Sequence, residues 1–298
     1  MDFVVLDLEW NGAYSRRLGG FLNEIIEMGA ARAGRAGASP DTFQALVRPQ
    51  VGKKISGKIQ ALTSITDEDL EGGLRFQQAV SRFAGWAGGA VVMTWGTSDI
   101  LTLIDNYRYF RGDDRIPFLK RYVDLQAYCE QRLGRDPAQQ TGLETAARLL
   151  GIDPASFSQH RALGDSLLEL ECFRRLYDPA ALEPFIQDAE RRGFYDRMEF
   201  RTTEICDLHH PLIRPADLSF CCDLCGRKAR RVGRWQLRNK SFRAEFLCRH
   251  CGHRFCGRVQ FKLKYEGMSV RKAILPSRRE KKEKEAAQAA EKSGEEGA

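Results

Sequence analysis

Apolar and polar positions in the first 180 residues switch between a period of two and a period near 3.6. Phe3-Val4-Val5-Leu6-Asp7-Leu8 is an apolar run that ends in charge and predicts a buried strand. Residues 24–30 and 42–47 predict two more strands, the second closed by Pro49, and the short spacing of the three predicts an antiparallel meander. Thr66 with Asp69 three residues on is a weaker form of the capping box, and Phe76, Val80 and Phe83 at i, i+4 and i+7 predict a helix over 76–87. A fourth strand spans 90–95 and breaks at Gly96, where Ser98 or Asp99 caps a helix through about Tyr109. Residues 122–124 predict a fifth strand, followed by a helix to Leu133. Two further helices span 143–150 and 162–176, the second with Leu163, Leu167, Leu170 and Phe173 on one face. Three early strands and then strand–helix alternation predict an α/β domain, a mixed sheet flanked by helices.

The pattern changes after residue 180. Residues 181–200 read as a helical linker, 201–275 as a basic domain rich in Cys and His, and 276–298 as a charged tail with no apolar stripe, expected to be disordered. Charge follows the same division. The chain of 298 residues carries +7 overall, yet residues 1–200 are net −4 and residues 201–275 net +11. A basic segment of this kind is the electrostatic footprint of a polyanion partner. Apolar residues make up 43% of the chain, enough for a packed core, and no apolar run reaches the about 18–20 residues of a membrane span. The start Met1-Asp2-Phe3 lacks a basic and apolar leader, so the expected location is cytoplasmic.

Asp7 and Glu9 lie at i and i+2 on one strand, which places both carboxylates on one face. Side by side they repel unless a cation stands between them, and oxygen-only ligands suit Mg²⁺ or Mn²⁺. Asp99 follows the fourth strand, and Asp165 lies one turn into a helix, five residues after His160. If strands one and four are adjacent, all four acids and the imidazole meet beyond the strand ends, where ligands collect in open sheets. Such a set can hold two divalent ions roughly 3.5–4 Å apart on a phosphodiester. An imidazole beside them suits removal of a proton from attacking water. Each residue also has an ordinary role, as a strand-end charge, an N-cap, a first-turn acid or a solvated loop histidine; the joint order is what sets them apart.

Leu6-Asp7-Leu8-Glu9, Trp95-Gly96-Thr97-Ser98-Asp99 and His160-Arg161-Ala162-Leu163-Gly164-Asp165 resemble the three motifs of the DEDDh 3′–5′ exonucleases, the DnaQ-like and RNase T-like superfamily. The resemblance covers about residues 2–177 and is nearest in look to the Eri-type and KapD-like branch. It implies an RNase H-like fold over residues 1–180. It implies two Mg²⁺ or Mn²⁺ bound by Asp7, Glu9, Asp99 and Asp165, with Asp7 bridging both and His160 as general base. The sequence departs from the family where Gly164 stands, since relatives often carry an acid there. Trp10, directly after the first motif, either stacks on a terminal base or packs in the core.

Seven of the nine cysteines lie between 206 and 256. Cys222-Asp223-Leu224-Cys225-Gly226 and Cys248-Arg249-His250-Cys251-Gly252 form two C-x₂-C knuckles, the spacing of a tetrahedral Cys₄ zinc site. So small a module has little core and needs a metal staple, worth about 10–16 kcal/mol in finger peptides. The segment resembles a zinc ribbon holding one structural Zn²⁺, with a hairpin turning at Asn239-Lys240 and a third strand from Arg258 to Tyr265. Cys221 competes with Cys222 for the ligand position. Cys206, His209, His210, His250, His253 and Cys256 offer donors for a second site. Arg234, Arg238, Lys240 and Arg243 alternate with Trp235, Phe242 and Phe246, so that cations can hold phosphates while aromatics stack bases, or form a solvated face over an aromatic core.

Together these features predict a metal-dependent 3′–5′ exonuclease that releases 5′-mononucleotides from single-stranded nucleic acid, RNA slightly favoured over DNA. The rivals are a non-catalytic nucleic-acid-binding protein on the same scaffold and a proofreading subunit of a DNA polymerase.

Overall fold

The structure is a computed structural model, described here for residues 2–33, 40–135 and 140–277. The chain divides into two compact units, 1–199 and 200–298.

In the first unit, β1 (Phe3–Ser15), β2 (Gly20–Arg32) and β3 (Asp41–Leu46) form an antiparallel meander. Helices α1 (Gly57–Thr63), α2 (Asp67–Glu71) and α3 (Phe76–Ala87) come next, and Thr66 and Asp69 close the capping box at α2. Strand β4 (Val91–Thr94) runs parallel to β1 and leads into α4 (Ser98–Arg111). Strand β5 (Arg121–Asp124) runs parallel to β4 and leads into α5 (Leu125–Arg132), α6 (Leu143–Leu149) and α7 (Ala162–Leu176). The sheet order is β3-β2-β1-β4-β5-β6, with β6 (Gln187–Asp188) antiparallel to β5. This is the mixed sheet with helical flanks that the sequence pattern predicts.

Both faces of the sheet are covered, as a largely parallel centre requires. Along β1, Val4, Leu6 and Leu8 point into a core shared with Phe76, Phe83 and Ile100 of α3 and α4. Phe3 and Val5 point the other way, into a core with Tyr128 and Phe173 of α5 and α7. Asp7 and Glu9 continue that second face, so β1 carries its acids toward α7.

Two strands run longer than their apolar runs. Beyond Glu9 the register with β2 shifts at Trp10, and β1 and β2 continue as a two-stranded ribbon to Ser15 and Gly20. Of residues 181–200, expected to be a linker, 181–199 are built into the first unit instead and Phe200 opens the second. Helix α8 (Pro179–Leu182), β6 and α9 (Arg192–Glu199) close the far sheet edge and bury Leu182, Ala189, Phe194 and Tyr195. The Tyr195 hydroxyl accepts a 3.0 Å hydrogen bond from the Ile116 backbone. Few apolar residues are involved, but they are large and locked in place, which periodicity does not register.

The second unit is a twisted sheet of order β12-β11-β10-β8, made of β8 (Arg230–Arg231), β10 (Ser241–Leu247), β11 (Arg254–Lys264) and β12 (Gly267–Pro276). Strands β7 (Thr203–Glu204) and β9 (Gln236–Arg238) pair with β11 and β10. Asn239 and Lys240 turn the β9–β10 hairpin with φ of 47° and 56°, the two left-handed positions of a type I′ turn. Phe220, Phe242, Phe246, Phe255 and Phe261 form the core. Strand β12 is an extra fourth strand whose Arg and Lys content hid its period. The expected disordered tail starts at Pro276, the last residue of β12; from residue 278 on it lies outside the described residues.

Candidate functional site

Three elements bring the predicted acids together. Strand β1 presents Asp7 and Glu9, α4 opens with Asp99, and the first turns of α7 carry Asp165. Carboxylate oxygens of Asp7, Glu9 and Asp165 lie within 4.8 Å of one another. Asp99 is tied to the same place, because its Oδ1 accepts the Leu8 backbone N–H at 3.0 Å. The turn that delivers Asp99 is braced from beneath. Thr94 Oγ1 and the Tyr122 hydroxyl donate to the Gly96 carbonyl at 2.6 and 2.8 Å. A cleft of about 470 Å³ is lined by Asp7, Trp95, Asp99, His160, Asp165 and Glu169.

His160 is exposed and has φ of 56°, an unusual conformation for a residue other than glycine. Its two successors in the chain hold it. Arg161 donates from Nε and Nη2 to the fully buried carboxylate of Glu27 at 3.0 and 2.8 Å, and the Ala162 backbone N–H donates to Glu27 Oε2 at 3.1 Å. Beneath the start of α7 the sheet must be bare. A Cβ on Gly29 would stand 2.1 Å from the Ala162 carbonyl carbon. The family departure at Gly164 has a similar cause, since a Cβ there would meet the Ser158 carbonyl oxygen at 1.9 Å.

The electrostatics are those of an acid cluster lacking its counter-charge. Burial, then the charges of Asp99, Glu169, Asp165 and Glu9, push Asp7 well above the carboxylate range. Glu9 is pushed up to about 7, by burial first and then by Asp165 and Glu27. Asp99 is also pushed up to about 7 by burial, against the Leu8 hydrogen bond that favours its charged form. Asp165 is raised by burial while His160 opposes the shift. Oxygen donors packed this closely, with like charges unrelieved, fit a hard divalent cation.

Glu169 is absent from the sequence-derived set, although its i+4 spacing from Asp165 on a helix places both on one face. The Glu27–Arg161 clamp is absent from it too; its partners lie 134 residues apart. Trp10 is half-buried and packs against the first core, which favours the packing role over stacking.

In the second unit the Sγ atoms of Cys222, Cys225, Cys248 and Cys251 lie within 4.8 Å of one another. Cys222–Cys251 and Cys225–Cys248 are 3.6 and 3.4 Å apart. A zinc tetrahedron with Zn–S near 2.3 Å has S···S edges of about 3.8 Å. The two knuckles match: Gly226 and Gly252 donate to the carbonyls of Cys222 and Cys248 at 2.8 and 2.9 Å, both with φ near 70°. Backbone donors at Cys251 and His250 help lower the Cys248 thiol to about 6. Cys221 is exposed and outside the cluster. No second Cys/His cluster occurs among the described residues; His253 instead meets Asp223 at 3.1 Å and stacks on Phe255.

The expected nucleic-acid contacts separate. Arg234, Arg238 and Arg243 line a groove of about 310 Å³, and Arg243 Nε is buried there without a hydrogen-bond partner. Trp235 is half-buried against Phe220 and Phe246, and Lys240 pairs with Glu204 at 3.2 Å. No helix among the described residues is long and apolar enough to cross a membrane.

A family model described as an exonuclease, RNase_T, matches residues 4–173. The chain is similar to a DNA polymerase III PolC-type protein of Thermotoga maritima, 27% identical over 180 residues that cover 59% of this chain and 12% of that protein. It is also similar to a probable 3′-5′ exonuclease, KapD, of Bacillus subtilis, 26% identical over 178 residues, 58% of this chain and 83% of the relative. Among solved structures, the nuclease domain of 3′hExo, a DEDDh family member bound to rAMP, shares the fold. Its TM-score is 0.50 at 22% identity, over 58% of this chain and 90% of that one.

Proposed function

This chain belongs to the exonuclease family whose model spans residues 4–173, and on that premise we propose that it removes nucleotides one at a time from the 3′ end of single-stranded nucleic acid, RNA in preference to DNA. The observation that carries the proposal is the convergence of Asp7, Glu9, Asp99 and Asp165 beside His160 in one cleft. Asp7, Glu9, Asp99 and Asp165 would hold two Mg²⁺ or Mn²⁺, and Cys222, Cys225, Cys248 and Cys251 would hold one structural Zn²⁺.

Divalent ions bound at the acids supply neutralisation of the carboxylates and polarisation of the scissile phosphate. The side chains do the rest. The His160 imidazole takes a proton from the attacking water as its oxygen bonds to the terminal phosphorus. The P–O3′ bond breaks, the departing O3′ takes a proton from solvent, and the products are a shortened strand with a 3′-hydroxyl and a free 5′-mononucleotide. The Glu27–Arg161 clamp holds the His160 backbone in its strained conformation. Arg234, Arg238 and Arg243 of the second unit bind backbone phosphates and raise the local concentration of strand.

The likeness to PolC-type polymerases supports a second reading, proofreading of DNA 3′ ends. One experiment separates the readings. A short strand labelled at its 5′ end, as RNA and as DNA with matched or mismatched termini, is incubated with Mg²⁺ or Mn²⁺ and with EDTA. The expected result is a metal-dependent ladder that shortens one nucleotide at a time, faster on RNA. Strict preference for mismatched DNA ends supports proofreading. A retarded complex on a native gel with no ladder supports binding without catalysis.

A further inference from the structure

Glu169 stands on α7 one turn beyond Asp165 and turns to the same side of the helix. It is 1% exposed, it lines the cleft with Asp7, Asp99 and Asp165, and its Oε2 has no hydrogen-bond partner. The charges that act on it are Asp99 and Asp165, both acidic, and it acts in turn on Asp7. A buried carboxylate with an open acceptor, facing the acids Asp99 and Asp165, is unfavourable unless a cation or a proton neutralises it. The cleft already gathers a donor set for a cation.

We propose that Glu169 is a fifth carboxylate of the divalent-metal centre, adding charge and an acceptor beside Asp7, Asp99 and Asp165. The proposal rests on the metal-dependent reading above and goes beyond the four acids of the motifs. Affinity for hard cations rises with the charge of the oxygen donor set, so Glu169 strengthens the hold on the ion. It is a positioning residue if it acts through the ion's other ligands and a ligand if it touches the ion; both roles make metal affinity depend on its charge. The competing account is a neutral glutamic acid that merely fills space beneath the site.

The test is Mn²⁺ titration of the purified full chain by calorimetry, paired with melting curves with and without Mn²⁺. Wild type, Glu169→Gln and Asp7→Asn are compared. Glutamine keeps the shape of a neutral glutamic acid and removes the charge. The expected result is Mn²⁺ affinity about tenfold weaker in Glu169→Gln, at the lower end of what partners of metal ligands contribute, with a smaller rise in melting temperature on adding Mn²⁺. Its metal-free form should melt no lower than metal-free wild type, since like-charge repulsion is relieved. If glutamine prevents folding, Glu169→Met supplies the same readout without an amide to satisfy. Wild-type Mn²⁺ affinity in the variant overturns the proposal and leaves the metal-dependent reading intact. Identical isotherms for wild type and Asp7→Asn overturn both.

Discussion

At the scale of single residues, the site consists of acids that need a cation and one imidazole that needs a scaffold. His160 reaches the cleft from a strained backbone and takes no part in the carboxylate cluster. Its removal should therefore slow the reaction without loosening the ion. His160→Ala is expected to lower the single-turnover rate by about 10²–10⁴-fold, the usual range for a general base, with Mn²⁺ affinity by calorimetry within about twofold of wild type. A matching loss of metal binding would place His160 among the ligands instead. The acids and His160 are legible in the sequence because short motifs carry them at strand ends and helix starts. Glu169 is not, because a glutamate one turn beyond Asp165 reads as an ordinary polar position on a solvated helix face. Only the known depth of that face turns a polar residue there into a buried charge.

At the scale of elements, α7 must dock closely on β2 for Asp165 to meet Asp7, and Glu27 pins the docking. Its carboxylate is fully buried, while Arg161 is 36% exposed. Glu27→Gln would leave the guanidinium underpaired and is expected to cost about 2–3 kcal/mol, below the range for a wholly buried pair, read as a lower urea midpoint. A midpoint equal to wild type would show that the clamp contributes nothing to stability. In the second unit, Cys225→Ser with Cys251→Ser should abolish zinc by elemental analysis and remove the β signal of residues 201–277, because the proposed zinc would supply folding energy there. Retention of one zinc per chain would refute these ligands. Strands whose apolar runs are long or whose turns are marked, such as β1 and the Asn239-Lys240 hairpin, are readable from sequence. Strand β6 spans two residues and β12 carries Arg271 and Lys272. Both owe their place to partners already in the sheet, so their own sequences bear little trace of it.

At the scale of the whole molecule, chemistry and charge are divided between the units, the acid cluster in an acidic half and the four-cysteine cluster in a basic one. That division is visible in the distribution of charges and cysteines; the assignment of residues 181–199 to the first core is not, since packing of Phe194 and Tyr195 decides it. The acid cluster also makes stability depend on pH. Glu9 and Asp99 are pushed up to about 7, against about 4 in an unfolded chain. Between those values the folded metal-free protein binds more protons than the unfolded one, so stability falls as pH rises. Metal-free protein is expected to melt lower at pH 7.5 than at pH 5, and Mn²⁺ should recover the difference at the higher pH; a flat profile would mean that folding does not raise these carboxyls. Asp7 is the proposed anchor of a metal-dependent 3′-end nuclease centre, and the most direct measurement of that role compares wild type with Asp7→Ala on a 5′-labelled single strand in saturating Mn²⁺. The expected result is a one-nucleotide ladder for wild type, abolished by EDTA and by Asp7→Ala while strand binding persists; a ladder of wild-type rate from Asp7→Ala would contradict it.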